Sequence, residues 1–366
     1  MIATSKYWTF VGMLAISPMV AQAETAVPAP FTCFVAAPPT LTLAYPSRYA
    51  KDSKSRSEFD EKADAAVDAA LKPVDDFIVA LATAANGSLT SSGADGTLAA
   101  DCVVDRIHTW ARADALSALL SDGAQMSVPS RIAGIAIAYA QVLPKATLDD
   151  RQSVIDAWLR GRVQASMLYF DTKAPPRASS NNLRAWAGLG AAQVGLILDD
   201  DAMIAWASDS VKRVACTAKT DGSLPNEMWR GKLALHYQIH AVGPLVFAAV
   251  LLKDRVSGLL QTCEGAIIRA AQFAVAGAKD PKIVEKITGQ KQKFDPDPAK
   301  LKAFEFAWIT AFLSQIEDPA IKAFALNFDV LSNSKLGGKQ SLIWNLGATS
   351  GVALASLGWT VRRDGG

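Results

Sequence analysis

Alanine-rich segments with apolar residues at helical spacing dominate the sequence and restrict what it can fold into. The first, residues 59–85, reads FDEKADAAVDAALKPVDDFIVALATAA. Its apolar residues recur every three or four positions, which places them on one face of an α-helix. Pro73 is expected to kink or divide this helix, because proline cannot donate a backbone hydrogen bond. Further segments of this kind lie at about residues 97–120, 129–143, 148–169, 181–198, 200–217, 230–252, 255–277, 298–315 and 318–328.

The sequence has no sustained alternation of polar and apolar residues between turn signals, so we expect no substantial β-sheet. Long helices joined by short polar turns pack as antiparallel hairpins. Some ten helices can form a globular bundle, a solenoid, or a closed or nearly closed α/α barrel, and the lack of a fixed repeat weakens the solenoid. The sequence therefore predicts an all-α fold, which a chain of 366 residues can build as one domain.

The first 23 residues have the pattern of a secretory signal peptide. A lysine precedes an apolar run from Tyr7 to Val20, and an Ala-x-Ala cleavage site ends at Ala23. The run is shorter than the roughly 20 residues that cross a bilayer, which argues against the alternative of a membrane anchor. We expect residues 24–366 to form the exported protein, as a single domain that does not contact the membrane.

Four cysteines, at positions 33, 102, 216 and 263, follow this segment. Because an exported chain meets an oxidising compartment, their even number predicts two disulfides. Four cysteines allow three connectivities, and we expect Cys33–Cys102 and Cys216–Cys263 because this pairing ties neighbouring segments. Metal ligation is the rival interpretation, but the spacings are long and no C-x-x-C or histidine cluster accompanies them. We expect no structural zinc.

The charge balance excludes a global electrostatic attraction to polyanions. With 37 basic and 35 acidic residues the net charge is +2, so nucleic acid and anionic lipid are not expected partners. One local segment, PSRYAKDSKSRSEFDEK at residues 46–62, is basic and contains a tyrosine. It is either a solvated flexible loop or a surface that contacts an anionic ligand.

Two polar clusters stand at the starts of predicted helices, in a chain that lacks G-x-S-x-G, H-E-x-x-H, phosphate-binding and dinucleotide motifs. In SSNNLRAW, residues 179–186, the pair Asn181 and Asn182 exceeds what a helix cap needs. In LPNEMWRGKLALHYQIH, residues 224–240, Arg230 and Tyr237 are two helical turns apart, and His240 lies three residues further on the same side. This row is either a solvated stripe or a set of catalytic groups.

At these motifs the chain resembles the alginate lyases that degrade mannuronate-containing polymers in the bacterial periplasm. NNLRAWAG is similar to the family's Asn-Asn-His-x-x-Trp-Ala segment, and DGSLPNEMWRGKLALHY is similar to its Asp-x-x-Gly-x-Leu-Pro-x-Glu segment with the Arg and Tyr that follow. The matching stretches are residues 181–188, 221–237, 102–116, 304–313 and 335–338. The resemblance implies an α/α toroid with a deep cleft that cuts a 1,4 bond beside a uronic acid by β-elimination, without a metal or organic cofactor.

The resemblance also assigns roles to residues. Asn182 corresponds to the asparagine that neutralises the substrate carboxylate, Arg230 to the active-site arginine and Tyr237 to the catalytic acid and base. The basic segment corresponds to a mobile lid over an anionic polysaccharide. We assign to substrate binding Arg48, Tyr49, Lys51, Lys54, Arg56, Trp110, Asn181, Arg184 and His236.

One position departs from the family pattern, because Leu183 stands where the motif has its catalytic histidine. Leucine can neither donate a hydrogen bond nor accept a proton. Three explanations compete: His236 or His240 replaces the missing group, Arg184 turns inward, or catalysis has been lost. His236 is rotated by about 100° from Tyr237 on a helix, so His240 is the better placed substitute.

The leading hypothesis is a periplasmic lyase, acting as a monomer on alginate, polymannuronate or another β-1,4-linked polyuronate such as glucuronan. A binding protein that kept the cleft and lost the chemistry is the alternative. A helical scaffold without a ligand would leave the Asn pair, Arg230 and Tyr237 unexplained.

Overall fold

The computed structural model describes residues 31–147 and 149–344, so the predicted signal peptide lies outside the described residues. The longer helices are α1 (Glu61–Thr90), α2 (Gly93–Arg112), α4 (Pro129–Val142), α5 (Arg151–Thr172), α6 (Asn182–Leu198), α7 (Asp201–Ala215), α9 (Ala234–Leu251) and α10 (Thr262–Lys279). Shorter helices are α3 (Asp122–Ser127), α8 (Pro225–Met228), α11 (Lys282–Thr288), α12 (Trp308–Leu313), α13 (Pro319–Ala325) and α14 (Gln340–Ile343). The all-α prediction is confirmed.

The helices form an inner and an outer layer. Every residue of α4 is buried, and most residues of α6 and α9 are buried too, as expected for helices that are apolar on all sides. These three pack side by side, with α6 between α4 and α9. The helices α1, α2, α5, α7 and α10 pack outside them and keep an exposed face. One contiguous apolar core therefore lies between the layers.

Among the described residues, one helical stretch is long and apolar enough to cross a membrane by composition. The most apolar 18 residues of this stretch, Gly231–Leu251, have a mean hydropathy of 1.4, and 83% of them are buried inside the same chain. Its apolar character is accounted for by its position in the inner layer.

Of the two effects predicted for Pro73, a kink or a division, the division does not occur, because α1 continues through Pro73. An interior proline costs a helix about 3 kcal/mol. Leu71, Val74 and Phe77 on either side of it are fully buried, and each such side chain contributes about 1.5–3 kcal/mol. The apolar face of α1 thus outweighs the missing hydrogen bond.

Two predicted helices are shorter than expected. The segment 97–120 stops being helical after Arg112, because Asp114 and Leu116 adopt left-handed backbone angles (φ 51° and 58°). The chain then forms a short strand, β2 (Ala118–Leu119), parallel to β1 (Thr42–Leu43). The segment 298–315 contains only α12 and two 3₁₀ turns. A second ladder joins β3 (Ser332–Asn333) to β4 (Gly338–Lys339).

Two disulfides have the predicted connectivity. Cys33–Cys102 ties the segment before α1 to α2, and Cys216–Cys263 ties the end of α7 to the start of α10. They close loops with sequence separations of 69 and 47 residues. By the loop-entropy model, each cross-link stabilises the fold by about 4 kcal/mol. Disulfides of this kind are typical of proteins outside the reducing cytoplasm.

The structure corrects the assignment of Trp110 to substrate binding. Its indole is fully buried and stacks on Phe77, with ring centroids 4.0 Å apart and planes 2° from parallel. A ligand has no access to this ring. The tryptophan in the CVVDRIHTW stretch is a core residue that joins α1 to α2.

Trp110→Ala should therefore lower the free energy of unfolding by about 3–5 kcal/mol, because it leaves a cavity against Phe77. Chemical denaturation measures this change. Leu120→Ala, at a side chain that is 70% exposed, is the control and should change stability by less than about 0.5 kcal/mol. A stable Trp110→Ala protein with weakened polysaccharide binding would restore the original assignment.

Candidate functional site

Arg230 and Tyr237 are stacked on each other. The buried Arg230 guanidinium lies 3.6 Å from the centroid of the Tyr237 ring and 4.9 Å from that of Tyr49. Arg230 precedes a 3₁₀ turn, Gly231–Leu233, and α9 begins only at Ala234. The predicted proximity of Arg230 and Tyr237 is confirmed, but a turn creates it rather than two turns of one helix.

Gly231 allows this turn. Its backbone is left-handed (φ +56°), and a Cβ atom there would lie 2.5 Å from Oε1 of Gln290. The buried Gln292 amide also donates to the Gly231 carbonyl at 3.0 Å. The turn therefore has little freedom, and it directs the Arg230 side chain across the Tyr237 ring.

The Tyr237 hydroxyl is hydrogen-bonded to the hydroxyl of Tyr49, which comes from the basic segment. Burial and the neighbouring Tyr49 raise the pKa of Tyr237 above its usual value, and the positive charge of Arg230 opposes this shift. Arg230 also donates from Nη2 to the Arg56 carbonyl at 2.7 Å. The basic segment thus lies against the site through Tyr49 and the Arg56 carbonyl.

The cations of this segment do not all face the site. Arg48 is ion-paired with Asp64 at 2.8 Å and with Asp68 at 3.2 Å on α1. Lys51 and Lys54 are exposed. Arg56 contacts the site through its backbone carbonyl and has an exposed side chain. Direct contact between the segment and the predicted catalytic groups is made by Tyr49 and this carbonyl.

Asn182 is held by a buried glutamate that the sequence analysis did not single out. Its backbone N–H and its side-chain amide donate to the two carboxylate oxygens of Glu227, at 2.8 and 3.0 Å. Burial raises the pKa of Glu227 to about 7, against the hydrogen bonds from Asn182 and the charge of Arg230. Asn182 Oδ1 is buried and has no hydrogen-bond partner among the described residues. Glu227 therefore links Asn182 to the Arg230 end of the site.

Two other residues of the first motif have structural roles, and for Arg184 the assignment to substrate binding is wrong. Asn181 caps α6 and accepts the N–H of Leu183 at 3.0 Å. Arg184 is buried, pairs with Asp171 at 2.9 Å and donates to Ser210. Its side chain is thereby fully engaged outside the cleft.

The position that departs from the family pattern, Leu183, packs against an apolar cluster formed by Met126, Tyr169, Phe170, Ala178 and Ala187. With Arg184 directed toward Asp171, the explanation that Arg184 turns inward is wrong. His236, His240 or loss of activity remain as explanations.

His240 lies beside the stacked pair and lines a cleft. Its Nε2 accepts a hydrogen bond from Trp186 Nε1 at 3.0 Å, and its ring centroid is 6.4 Å from that of Tyr237. Burial, followed by the charges of His236 and Lys335, keeps the pKa of His240 well below its usual value. The imidazole is therefore neutral near pH 7, and since Nε2 accepts, the proton sits on Nδ1.

The cleft beside His240 has a volume of about 640 Å³. Its walls come from α1, α9, the segment 304–308 and the turn 332–342. His236 also lines it, with Nδ1 3.3 Å from a carboxylate oxygen of Glu305. Polar and aromatic residues that the sequence analysis did not single out also line the cleft: Asp75, Asn86, Trp186, Glu305, Trp308, Asn333, Lys335 and Lys339.

Comparison with known proteins places this geometry in context. The family model described as alginate lyase matches residues 94–284. A polysaccharide lyase of Stenotrophomonas maltophilia is 27% identical over 318 residues, which cover 84% of this chain and 90% of that protein. An alginate lyase of Pseudomonas syringae pv. syringae is 28% identical over 221 residues, which cover 58% of this chain and 57% of that protein.

Among solved structures, alginate lyase A1-III from Sphingomonas species A1 is similar, with a TM-score of 0.69 and 20% identity, over 87% of this chain and 88% of that chain. A variant of alginate lyase A1-III complexed with a tetrasaccharide has a TM-score of 0.70 over 87% of both chains. This similarity confirms the predicted α/α toroid.

The Glu227 carboxylate predicts a pH-dependent stability. Because its folded pKa is about 7 and its ordinary value is 4.5, the folded protein retains a proton that the unfolded chain releases as pH rises between these values. The contribution of Glu227 to stability should therefore fall by about 3 kcal/mol over this interval and stay level on either side of it. Denaturant unfolding of the native protein and of Glu227→Gln at a series of pH values measures this contribution. A difference between them that does not change with pH would contradict the shift.

Proposed function

Because the chain belongs to the alginate lyase family, we propose that it cleaves a β-1,4-linked polyuronate by β-elimination and leaves an unsaturated uronate end. Arg230 and Tyr237 are not themselves among the residues that line the cleft. The observation that carries this proposal is their stack, which lies next to His240 on the cleft wall. Alginate rich in mannuronate is the proposed substrate, and glucuronan is the alternative. Both disulfides and the signal-like N-terminus support action in the periplasm.

The reaction needs groups that stabilise negative charge. Removal of the C5 proton places charge on a sugar whose carboxylate is already negative, so donors aimed at that carboxylate lower the barrier. Arg230 is a permanent cation in a buried position and lies against the Tyr237 ring. It is suited to stabilising both the developing enolate-like charge and a phenolate of Tyr237.

Tyr237 is the proposed acid and base. A tyrosine can remove the C5 proton and then protonate the departing O4 when both lie on one face of the sugar. In the closed arrangement its hydroxyl is occupied by Tyr49, which together with burial raises its pKa. Substrate that displaces Tyr49 leaves Arg230 as the neighbour that favours the ionised form.

His240 is the proposed substitute for the missing motif histidine. The Trp186 indole fixes its tautomer, so the neutral ring presents Nδ1–H as a donor. A donor on the cleft wall can neutralise the substrate carboxylate without taking a proton from it. Asn182, oriented by Glu227, is the second proposed donor.

The first test concerns Tyr237. Tyr237→Phe should lower kcat by about 10²–10⁴-fold, because the group that moves both protons is lost. Ultraviolet absorbance of the unsaturated product, with polymannuronate and with glucuronan, measures turnover. Tyr139→Phe is the matched control, since this fully buried tyrosine of α4 is not among the residues that line the cleft. Full activity of Tyr237→Phe would overturn the mechanism, and binding of both polymers by the native protein without product would favour the binding-protein alternative.

The second test asks whether His240 replaces the histidine. His240→Ala should lower kcat by about 10²–10³-fold, the usual effect of removing one charge-stabilising donor. Trp186→Phe should also lower kcat, because it removes the hydrogen bond that keeps the His240 proton on Nδ1. His108→Ala on α2 is the control, because His108 is not among the residues that line the cleft. A silent His240→Ala combined with higher activity of Leu183→His would show that the motif has decayed without a substitute.

A further inference from the structure

The link between Arg230 and Tyr237 is not a continuous helix. A 3₁₀ turn lies between them, and α9 begins after Leu233, whose side chain makes no capping hydrogen bond. Leucine cannot accept a hydrogen bond from the free N–H groups of the first helical turn, which normally bond to a polar side chain. The position of Arg230 relative to α9 therefore depends on contacts from elsewhere in the chain.

The side-chain amide of Gln292 provides these contacts. Its Oε1 accepts the N–H of Leu235 at 3.0 Å, in the first turn of α9, where a capping side chain normally bonds. Its Nε2 donates to the Gly231 carbonyl at 3.0 Å, so one amide bonds to the turn and to the helix at the same time. Gln292 thus caps α9 from a position 57 residues away from Leu235 in the chain.

The Gln292 side chain is itself held in one orientation. The residue is 5% exposed, and its backbone N–H donates to Glu285 Oε1 at 3.0 Å. Its Nε2 also donates to the Gln290 carbonyl at 2.9 Å and lies 3.2 Å from Thr288 Oγ1. Because these acceptors surround the nitrogen, the oxygen of the amide must face α9.

Two neighbours of Gln292 bond to the same turn. Gln290 Oε1 accepts the N–H of Lys232 at 3.1 Å, and the backbone N–H of Lys293 donates to the Lys232 carbonyl at 2.7 Å. Gln290 and Lys293 are exposed, so water can replace lost bonds at their surface. Loss of the Gln292 amide instead leaves buried backbone groups unsatisfied, which is costly. Gln292 is therefore the side chain on which the conformation of the turn depends most.

We propose that Gln292 is a positioning residue for the lyase reaction, which holds the Arg230 guanidinium against the Tyr237 ring. The inference rests on the proposed function, in which this cation favours a phenolate of Tyr237. Charge stabilisation weakens as the cation moves away from its present distance of 3.6 Å from the ring centroid. Gln292 is not among the residues that line the cleft, so it acts through the turn and does not contact the substrate.

Gln292→Met tests the proposal, because it keeps a side chain of similar length and removes the amide. On polymannuronate, kcat should fall by about 10–100-fold, as expected when a catalytic group is displaced by about 1 Å. KM should change by less than about twofold, because the lining of the cleft is intact. Trp158→Phe is the matched control and should keep the native kcat, since it removes a buried bond to the Ala115 carbonyl away from the cleft. A native kcat in Gln292→Met, or an equal loss in both variants, overturns the proposal.

Gln292→Glu separates the two bonds of the amide. The introduced carboxyl keeps an oxygen that accepts from α9, but only its protonated form can donate to the Gly231 carbonyl. Its kcat, divided by that of the native protein at the same pH, should therefore rise as pH falls and the carboxyl becomes neutral. The charged residues in contact with this segment are Glu285, Lys232 and Lys293, and the ratio cancels their own titration. A ratio that stays low at every pH overturns the proposal.

Nuclear magnetic resonance tests the position of the cation without turnover. The Cζ signal of isotope-labelled Tyr237, identified by its loss in Tyr237→Phe, depends on the charge next to the ring. Its chemical shift should change in Gln292→Met and stay native in Trp158→Phe. An unchanged shift in Gln292→Met overturns the proposal. A native protein that gives no product, together with a changed shift in Gln292→Met, would refute the proposed function and leave the positioning of Arg230 by Gln292 supported.

Discussion

The hydrogen-bonded pair of Asn182 and Glu227 is the contact on which the site depends. It joins the first turn of α6, in the inner layer, to the short helix that precedes Arg230. Because the carboxylate is fully buried, its desolvation is offset by both donors of Asn182 and by the charge of Arg230. A shift of either segment would leave a buried polar group unsatisfied. This cost holds the two motifs at one distance from each other. The position of the Arg230–Tyr237 stack relative to Asn182 depends on that distance.

The sequence predicted the parts of the molecule that follow from local periodicity and from motif chemistry. Helical spacing predicted most of the helices, and the second motif predicted that Arg230 and Tyr237 meet. The sequence-based predictions were wrong where tertiary packing determines the conformation or the burial of a residue. Pro73 was expected to interrupt a helix that burial on both sides sustains, and Trp110 carries no local sign that it is fully buried.

Polar residues were the harder problem, because the same side chain can serve the fold or the ligand. Arg184 and Asn181 stand in a motif with polar neighbours. Arg184 is ion-paired with Asp171, and Asn181 caps a helix. Glu227 was overlooked because its role comes from a partner far away in the chain, Asn182. Such roles depend on three-dimensional pairing, which spacing along the sequence does not encode.

The hydrogen bond between Tyr49 and Tyr237 makes the closed state a competitor of the ligand. A sugar that reaches the Tyr237 hydroxyl must first find the protein open, so its apparent dissociation constant is the intrinsic one divided by the open fraction. Each 1.4 kcal/mol by which closure is favoured weakens apparent binding about tenfold. Ligands with few contacts cannot recover this loss, whereas a long anionic chain can recover it along the rest of the cleft. If the basic segment opens as a lid, discrimination by chain length follows from the population of closed molecules, without any group that measures length.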